Sequence, residues 1–368
     1  MVTDTNIYQS IATRTGGDIY IGVVGPVRTG KSTFIKRFME TLVIPNIENV
    51  YVRERAKDEL PQSGSGRTIM TAEPKFVPED AVDITLDGGA MFSVRLIDCV
   101  GYMVDGAVGQ FEGDRERMVT TPWFDHEITL TEAAEVGTRK VINEHSTIGI
   151  VVTTDGSITD IPRESYAAAE TQAIEELKAI GKPFLIMINS ANPASPEATA
   201  LQRELTEKHG VTCIVKNCMT LTAEDIEGII RSVLYEFPVS ELGFFLPPWV
   251  DALPYDNEIK STLFTTIRES AAAIHRIHDA ELAVNALCTH EGISTAGIRE
   301  INPGTGTVYI TLDLPRTLFY STLSSQSGFT VSDDGDLISL LTELSEIKNR
   351  YSKIEAALNE VEEKGYGI

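Results

Sequence analysis

The order of apolar and polar residues along the first 240 positions predicts strands that alternate with helices. The first clear element is the β-branched run DIYIGVVG at 18–25, which is typical of a strand buried in a parallel sheet. Directly after it, residues 31–43 place their apolar side chains at helical spacing. Later apolar runs predict strands at 147–155, 183–190 and 211–217, with helices at 131–144, 164–180, 196–208 and 222–236.

Two further strands are predicted at 82–86 and 92–101, and the Asp-Gly-Gly turn between them indicates an antiparallel hairpin. Strands that alternate with helices predict an α/β fold, and the hairpin makes its mostly parallel sheet a mixed one. The polar stretch from about 45 to 80 is long for a loop in a compact domain, and loops of this length usually carry function.

A proline-punctuated aromatic segment at 237–257 marks the predicted domain boundary, with a first domain at 1–239 and a smaller α+β domain at 240–368. The Phe and Trp residues of this segment predict a packed strap rather than an unattached linker. The second domain is predicted to contain a helix at 258–287, a strand at 307–313, a helix near 315–325 and a final helix from about 335.

The final helix carries a heptad pattern. Its apolar residues follow alternating steps of three and four, which is the a/d spacing of a coiled coil. These residues are Leu337, Leu340, Leu344, Ile347, Tyr351, Ile354, Leu358 and Val361. Two interpretations remain open: the helix packs on its own domain, or it forms a seam with another molecule during assembly.

Composition narrows the classes of partner. The 368 residues include 54 Asp and Glu against 31 Lys and Arg, and this net charge of −23 argues against a broad basic face for nucleic acid or an anionic membrane. No apolar run reaches the roughly 18 residues of a membrane span, and the amino terminus lacks the features of a secretory signal. We therefore expect a soluble, cytoplasmic protein whose anion sites are local. Its four cysteines form no zinc or disulfide pattern.

A local anion site is predicted directly after the first strand, where GPVRTGKS matches the phosphate-binding motif G-x-x-x-x-G-K-[ST]. In this motif, backbone N–H groups and the positive end of the following helix converge on the phosphates. Gly25 and Gly30 permit the tight turns, and Arg28 is placed to reach phosphate oxygens. Lys31 reaches the β- and γ-phosphates, and the Ser32 hydroxyl ligates Mg²⁺.

An acidic group for the Mg²⁺ ion is predicted in RLIDCVG, which supplies Asp98 followed by Gly101. In this D-x-x-G pattern the carboxylate contacts Mg²⁺, commonly through water, and the glycine N–H senses the γ-phosphate. A threonine between the two motifs is needed to complete the Mg²⁺ shell, with Thr71 as the first candidate and Thr68 as the second. The alternative for these threonines is an exposed loop residue without a role in binding. Arg67 is a weaker candidate for a cation that stabilises the transition-state charge, and the alternative for it is a solvated side chain.

The antiparallel hairpin before D-x-x-G resembles P-loop NTPases of the translation-factor GTPase type, and the chain departs from them in two places. Those enzymes often place Gln after D-x-x-G to orient water, whereas Tyr102 stands there in this chain, so another group must position the water. They also carry N-K-x-D to recognise guanine, where this chain has N-S-A-N beginning at Asn189. Because the Lys and Asp are absent, ATP is favoured over GTP.

Five strings are more specific than these motifs: ATRTGGDIYIGVVGPVRTGKSTFIKRFME, DELPQSGSGRTIMTAEPKFVP, RLIDCVGYMVDGA, EVGTRKVINEHSTIGIVVTTDG and KGYGI. Together they resemble the stage IV sporulation protein A family of endospore-forming Firmicutes. The resemblance covers nearly the whole chain; it is strongest over about 11–190 and looser beyond 240.

The resemblance implies an ATPase that hydrolyses Mg-ATP and polymerises into static filaments, which form the basement layer of the spore coat. This layer lies on the forespore surface, on the mother-cell side of the outer forespore membrane. By position, Lys31 is the P-loop lysine, Asp98 is the Mg²⁺-linked acid, and Thr71 matches the first of two sensor threonines, the second being Ala72 here. The expected nucleotide contacts are Gly25, Arg28, Thr29, Gly30, Lys31, Ser32, Thr33, Gly101 and Asn189, and the expected Mg²⁺ contacts are Ser32, Thr71 and Asp98.

The resemblance also implies three kinds of partner. These are further copies of the chain, the small membrane-bound stage V sporulation protein M, and other coat morphogenetic proteins such as stage VI sporulation protein D. The contact with stage V sporulation protein M belongs to a carboxy-terminal domain of the family. This chain ends at KGYGI, where that domain is expected to begin, so we expect a truncated form of a longer protein.

The leading hypothesis is an ATP-hydrolysing structural protein, and two rivals remain beside it. In the leading hypothesis, Mg-ATP orders the loop at 63–80 through Thr71 and Asp98, and hydrolysis sets a shape that can polymerise. The first rival is a regulatory GTPase switch of the translation-factor type. The second is a nucleotide-gated scaffold in which hydrolysis is incidental.

Overall fold

The computed structural model describes residues 7–61, 74–86, 90–107, 111–112 and 115–365. Contacts along the backbone divide the chain into two compact units. The first contains Met1–Gly243, Ile274–Ala280 and Arg299–Tyr309, and the second contains Phe244–Ala273, Glu281–Ile298 and Ile310–Ile368.

Helices and strands alternate over most of the first unit, and the elements of both units are numbered together in chain order. The helices are Ile7–Thr15 (α1), Lys31–Phe38 (α2), Val50–Asp58 (α3), Leu130–Lys140 (α4), Ala167–Ile180 (α5), Pro196–His209 (α6), Ala223–Tyr235 (α7), Glu258–Ala272 (α8), Asp279–Leu287 (α9), Arg316–Ser327 (α10) and Asp334–Lys364 (α11). The longer strands are Asp18–Val24 (β1), Lys75–Leu86 (β2), Ala90–Asp98 (β3), Ile148–Thr154 (β4), Phe184–Asn189 (β5), Cys213–Lys216 (β6), Glu241–Phe245 (β7), Thr295–Asn302 (β8) and Thr307–Asp313 (β9).

Short elements complete the description. Two-residue strands pair at Phe111–Glu112 with Arg115–Glu116 and at Met118–Val119 with Ile128–Thr129. Single π- or 3₁₀-helical turns lie at Met39–Val43, Ile44–Asn46, Val141–His145, Arg163–Tyr166 and Pro248–Val250.

A six-stranded sheet in the order β6-β5-β4-β1-β3-β2 forms the centre of the first unit. Its strands pair in parallel except for β2, which pairs antiparallel with β3. The predicted mixed, mostly parallel sheet and its hairpin are therefore confirmed. β2 begins earlier than predicted, at Lys75, because the chain before residue 82 continues to pair with β3 as far as Asp98.

Both faces of this sheet are buried, which explains why its strands appear in the sequence as continuous apolar runs. Every residue of β4 and of β5 is buried. On one face, Ile21 of β1 belongs to the same core cluster as Phe34 of α2 and Leu234 of α7. On the other face, Val24 of β1 belongs to a cluster with Leu177 of α5. This packing fixes the ends of β1 and β3, where the candidate site lies.

The polar stretch predicted as a long loop contains a helix, α3. Asn49 caps its amino end by accepting hydrogen bonds from the backbone N–H groups of Tyr51 and Val52, at 2.9 and 3.3 Å. Ala56 is the buried residue of this helix, so its hydrophobic periodicity was too weak to predict it.

The single helix predicted at 258–287 is wrong, because the chain forms α8 and α9 with a turn between them. The Asp279 carboxylate accepts hydrogen bonds from the backbone N–H groups of His275 and Arg276, at 3.1 and 2.8 Å. Arg276 also donates to Asp279 through its guanidinium, at 3.0 Å. A side chain that bonds the backbone in this way competes with helical hydrogen bonds, and hydrophobic periodicity does not reveal it.

A three-stranded sheet has the order β7-β9-β8. The predicted strand β9 is confirmed, and its Val308, Ile310 and Leu312 alternate with more exposed positions. β8 was missed because Ile301 is its one buried residue, so its sequence lacks a clear period of two. Within the described residues, no helix is both long enough and apolar enough to cross a membrane.

Candidate functional site

The loop between β1 and α2 lies at the carboxyl edge of the sheet, beside the end of β3. These two strands are parallel neighbours, and Val23 pairs with Asp98 in their register. Adjacent parallel strands end at the same edge, so the G-x-x-x-x-G-K-S segment, here called the glycine loop (residues 25–32), begins next to Asp98. Two motifs that stand far apart in the sequence are thereby brought together.

The glycine loop requires glycine at two positions for two reasons. Gly25 has φ of 125° and Gly30 has φ of 93°, which L side chains rarely adopt. In addition, a Cβ at Gly25 would overlap the carbonyl oxygen of Val152, and a Cβ at Gly30 would overlap the Asn189 amide. Arg28 also takes a left-handed conformation, with φ of 63°, which is uncommon for a residue other than glycine.

The loop presents the amino end of α2 to its interior. The N-cap is Gly30, which offers no side-chain hydrogen bond to the first N–H groups of the helix. Uncapped N–H groups at a helix amino end form an anion-binding site. Thr29 is buried and donates its hydroxyl proton to the carbonyl of Pro26 at 3.0 Å, which holds the turn of the loop. Thr33 is half-buried in the first turn of the helix.

Lys31 is buried within the loop, with only 5% of its surface exposed. Its ammonium donates to the carbonyl oxygens of Gly25 at 3.3 Å and Pro26 at 2.6 Å. Burial lowers the pKa of Lys31 to about 8, although the Asp98 carboxylate acts in the opposite direction. The charged form therefore lacks an adequate counter-charge, and a bound phosphate is the chemical group that would supply it.

Asp98 and Ser32 form the second half of the site. The Ser32 hydroxyl donates to Asp98 Oδ2 at 2.6 Å. Burial raises the pKa of Asp98 above its usual value, even though the Ser32 hydrogen bond and the Lys31 charge favour the carboxylate. A hydroxyl and a carboxylate are oxygen ligands of the kind that Mg²⁺ prefers. No group of three or more His, Cys, Asp or Glu side chains forms a metal cluster in the part of the chain that the structure describes.

The segment after Asp98 is joined to the glycine loop through its backbone. Tyr102 N donates to the Gly25 carbonyl at 3.2 Å, and Val27 N donates to the Tyr102 carbonyl at 2.9 Å. Gly101 has φ of 96°, and a Cβ there would overlap both the Gly25 carbonyl and the Lys31 ammonium. The D-x-x-G glycine therefore lies close to the lysine of the other motif, where a side chain has no room.

Tyr102 is buried, and its hydroxyl is already engaged in a hydrogen bond with another side chain rather than available to position water. The hydroxyl donates to Glu176 Oε2 at 2.6 Å, and Arg139 donates to the other oxygen of Glu176 at 3.3 Å. Burial and the Glu176 hydrogen bond both raise the pKa of Tyr102. The position that often holds a water-orienting Gln is therefore occupied by a packed side chain.

Asn189 connects the glycine loop to a neighbouring turn. Its side-chain Nδ2 donates to the Thr29 carbonyl at 3.0 Å, and its Oδ1 accepts from the backbone N–H of Cys218 at 3.0 Å. The residue is 4% exposed. The sequence predicts a nucleotide contact for Asn189; in the structure, its amide supports the backbone of the glycine loop.

Several predicted site residues lie outside the described residues. They are Thr68 and Thr71, the two candidates for the third Mg²⁺ ligand, together with Arg67 and Ala72. The half-buried side chain of Arg28, by contrast, belongs to the described part of the loop.

A buried polar network at the end of β4 was not predicted. Glu170, which is 1% exposed, accepts hydrogen bonds from the Arg163 guanidinium at 2.7 Å and from the Thr153 hydroxyl. Nearby, burial acts to raise the pKa of Asp155, but hydrogen bonds from Ser157 and Ser190 outweigh it and lower that pKa. The T-T-D-G-S string that begins with the last two residues of the strand was the available signal, and it is weak because Asp follows many strands.

Two family models match the chain. The first is described as stage IV sporulation protein A, ATPase domain, and matches residues 2–238; the second is described as stage IV sporulation protein A, middle domain, and matches residues 239–368.

Three relatives named stage IV sporulation protein A align with 99% of this chain and with 74% of their own length. The protein from Clostridioides difficile (strain 630) is 48% identical over 365 residues. Those from Bacillus subtilis (strain 168) and Bacillus anthracis are 44% and 45% identical over 363 residues. Two crystal structures of SsGBP variants align only weakly, with TM-scores of 0.33 and 0.32 at 14% identity, over 61% of this chain and 56% and 58% of theirs.

Proposed function

Because the chain belongs to the stage IV sporulation protein A family, we propose that it hydrolyses Mg-ATP and thereby drives its own assembly into static filaments. The match to the family's ATPase domain supports a sporulation ATPase. The observation that carries the proposal is the meeting of Lys31 with the Ser32–Asp98 pair at the ends of two neighbouring strands.

The chemistry expected at this site is transfer of the γ-phosphoryl group of ATP to water, which yields ADP and phosphate. The glycine loop and the amino end of α2 would bind the phosphates through backbone N–H groups, and Lys31 would exchange its carbonyl contacts for phosphate oxygens. Ser32 and Asp98 would hold Mg²⁺, together with Thr71 or Thr68. When bound, Mg²⁺ neutralises the charge that develops on the phosphate oxygens.

We assign the first domain to the P-loop NTPases of translation-factor type. Support comes from the glycine loop after β1 and from the antiparallel edge strand β2, which precedes the strand that ends in Asp98. ATP is the proposed nucleotide because the Lys and Asp of the guanine-recognising motif are absent after Asn189.

We further propose that the filaments form the basement layer of the spore coat on the mother-cell side of the outer forespore membrane. The proposed partners are further copies of the chain, stage V sporulation protein M and coat proteins such as stage VI sporulation protein D. For stage V sporulation protein M, the net charge of −23 favours a membrane-bound adaptor over direct contact with anionic lipid.

The test is sedimentation of the purified chain with ATP, GTP or a non-hydrolysable ATP analogue, with phosphate release measured in parallel. Lys31→Ala and Asp98→Ala should abolish phosphate release and ATP-dependent pelleting. The matched controls are Lys36→Ala, on the same helix, and Asp105→Ala, both of which change more exposed residues. Equal pelleting in every nucleotide condition would refute the role of hydrolysis in assembly, and equal turnover of GTP would refute the choice of ATP.

A further inference from the structure

The longest helix of the chain, α11, ends in an exposed apolar stripe. Every described side chain from residue 341 to residue 363 is exposed. This part of the helix is about 35 Å long at about 1.5 Å per residue. Six heptad positions on it are 37–57% exposed: Leu344, Ile347, Tyr351, Ile354, Leu358 and Val361. At these six positions the seam does not pack along its own domain, whereas Leu337 and Leu340 at its start are half-buried.

An exposed seam of this kind is unfavourable in an isolated chain. Moving large apolar side chains out of water lowers the free energy of the system. A helix without tertiary packing is also only marginally stable in water. A repeat of 3.5 residues keeps the apolar stripe aligned with a second helix that winds around the first. From the exposure and the repeat together, we propose that α11 forms a parallel coiled coil with the α11 helices of further copies of this chain.

Charges beside the seam support pairing with identical copies in parallel. With Leu344 at position a, Glu343 and Arg350 occupy g positions, and Lys348 and Glu355 occupy e positions. In a parallel coiled coil, each g residue lies near the e residue of the next heptad on the other helix. Glu343 therefore meets Lys348 of the second copy, and Arg350 meets Glu355 of the second copy. Both pairs are attractive, and each occurs at every interface between helices.

The residues within the seam indicate more than two helices. Leu344 and Leu358 lie at a positions with Tyr351 at the a position between them, whereas Ile347, Ile354 and Val361 lie at d positions. Leucine at a combined with β-branched residues at d favours trimers and tetramers over dimers. We therefore expect a closed bundle of three or four chains. This association needs no nucleotide and differs from ATP-driven filament assembly.

The test compares masses by light scattering after size-exclusion chromatography, without nucleotide, for the full 368-residue chain carrying Lys31→Ala. This protein should have three or four times the mass of one chain. Ile347→Glu with Ile354→Glu should reduce it to the monomer mass. Ser345→Glu with Ser352→Glu adds the same charge at exposed positions outside the seam and should leave the association unchanged. Under the proposed function, Lys31→Ala does not hydrolyse ATP. Association of this variant therefore tests the α11 bundle alone, and its result is independent of whether the wild-type chain forms ATP-driven filaments.

Two further variants test the orientation. Glu343→Lys should raise the concentration of half-association by about tenfold, and adding Lys348→Glu should restore it, because the pair is then re-formed with its signs exchanged. Val361→Cys, in a background with the exposed Cys288 changed to Ser, should form a covalent dimer under mild oxidation. The proposal would be overturned if the Lys31→Ala chain is monomeric at its highest soluble concentration, or if the seam variants associate as strongly as that chain. Either result would indicate another occupant of this face. Absence of the covalent dimer would overturn the parallel orientation.

Discussion

Replacing Asn189 with Ala should weaken both the folded state and the nucleotide site. The substitution removes the hydrogen bond to the Thr29 carbonyl and the one from the Cys218 N–H, each 3.0 Å long. Both groups are left in a buried environment, and a buried polar group without a partner costs about 1–3 kcal/mol. We therefore expect the free energy of unfolding to fall by about 2–5 kcal/mol, a large part of the 5–15 kcal/mol typical of a domain.

The measurement is urea unfolding of the nucleotide-free chain, followed by ATP titration calorimetry under folded conditions. The control is Asn192→Ala, which changes an exposed asparagine in the same turn and should alter stability by less than about 0.5 kcal/mol.

If Asn189→Ala unfolds like the Asn192→Ala control, the two hydrogen bonds of Asn189 do not stabilise the domain. If stability falls as expected while ATP affinity stays within twofold of the wild type, Asn189 stabilises the domain without shaping the glycine loop. The second result would show that the contact with Thr29 has no bearing on phosphate binding.

Three further predictions concern groups around the same site. Between pH 8 and 10.5, the folded chain releases the Lys31 proton that the unfolded chain keeps. In urea unfolding, the stability of the wild type relative to Lys31→Met should therefore rise by about 1.4 kcal/mol per pH unit. A difference that does not change with pH would contradict the lowered pKa of Lys31. Tyr102→Phe should leave kcat for ATP within about twofold while reducing stability by roughly 1–2 kcal/mol, and a hundredfold loss of kcat would show that the hydroxyl takes part in hydrolysis. Arg163→Met should lower the free energy of unfolding by about 3–5 kcal/mol, measured by thermal unfolding, because it leaves the Glu170 carboxylate buried without a counter-charge. Adding Glu170→Leu should recover most of this loss. A double variant as unstable as Arg163→Met would show that the ion pair itself stabilises the fold.

The parts of the molecule that sequence predicts best are those set by local patterns. Strands buried on both faces, such as β4 and β5, are visible as apolar runs, and the glycine loop is visible because its chemistry requires particular residues at fixed spacing. The pairing of Lys31 with Asp98 was predictable for the same reason.

Contacts between distant segments account for what the sequence did not reveal. The structural role of Asn189 depends on a carbonyl 160 residues away, and nothing in the surrounding N-S-A-N string indicates it. The break between α8 and α9 depends on Asp279, whose bonds to the backbone leave the hydrophobic period unchanged. Exposure of the α11 seam likewise follows from tertiary packing, because the same heptad pattern fits a helix packed on its own domain.

The electrostatics of the site explain how so acidic a chain can bind a polyanion. In the nucleotide-free protein, burial lowers the pKa of Lys31 and raises that of Asp98, so both groups resist ionisation although they attract each other. A magnesium triphosphate would place negative charge beside Lys31 and positive charge beside Asp98, which favours the ionised form of both. The net charge of −23 is spread over the whole chain, and screening by salt weakens it beyond about 10 Å, whereas the loop N–H groups and Lys31 act at contact distance. Affinity for the phosphates should therefore depend on this buried pair far more than on the net charge of the surface.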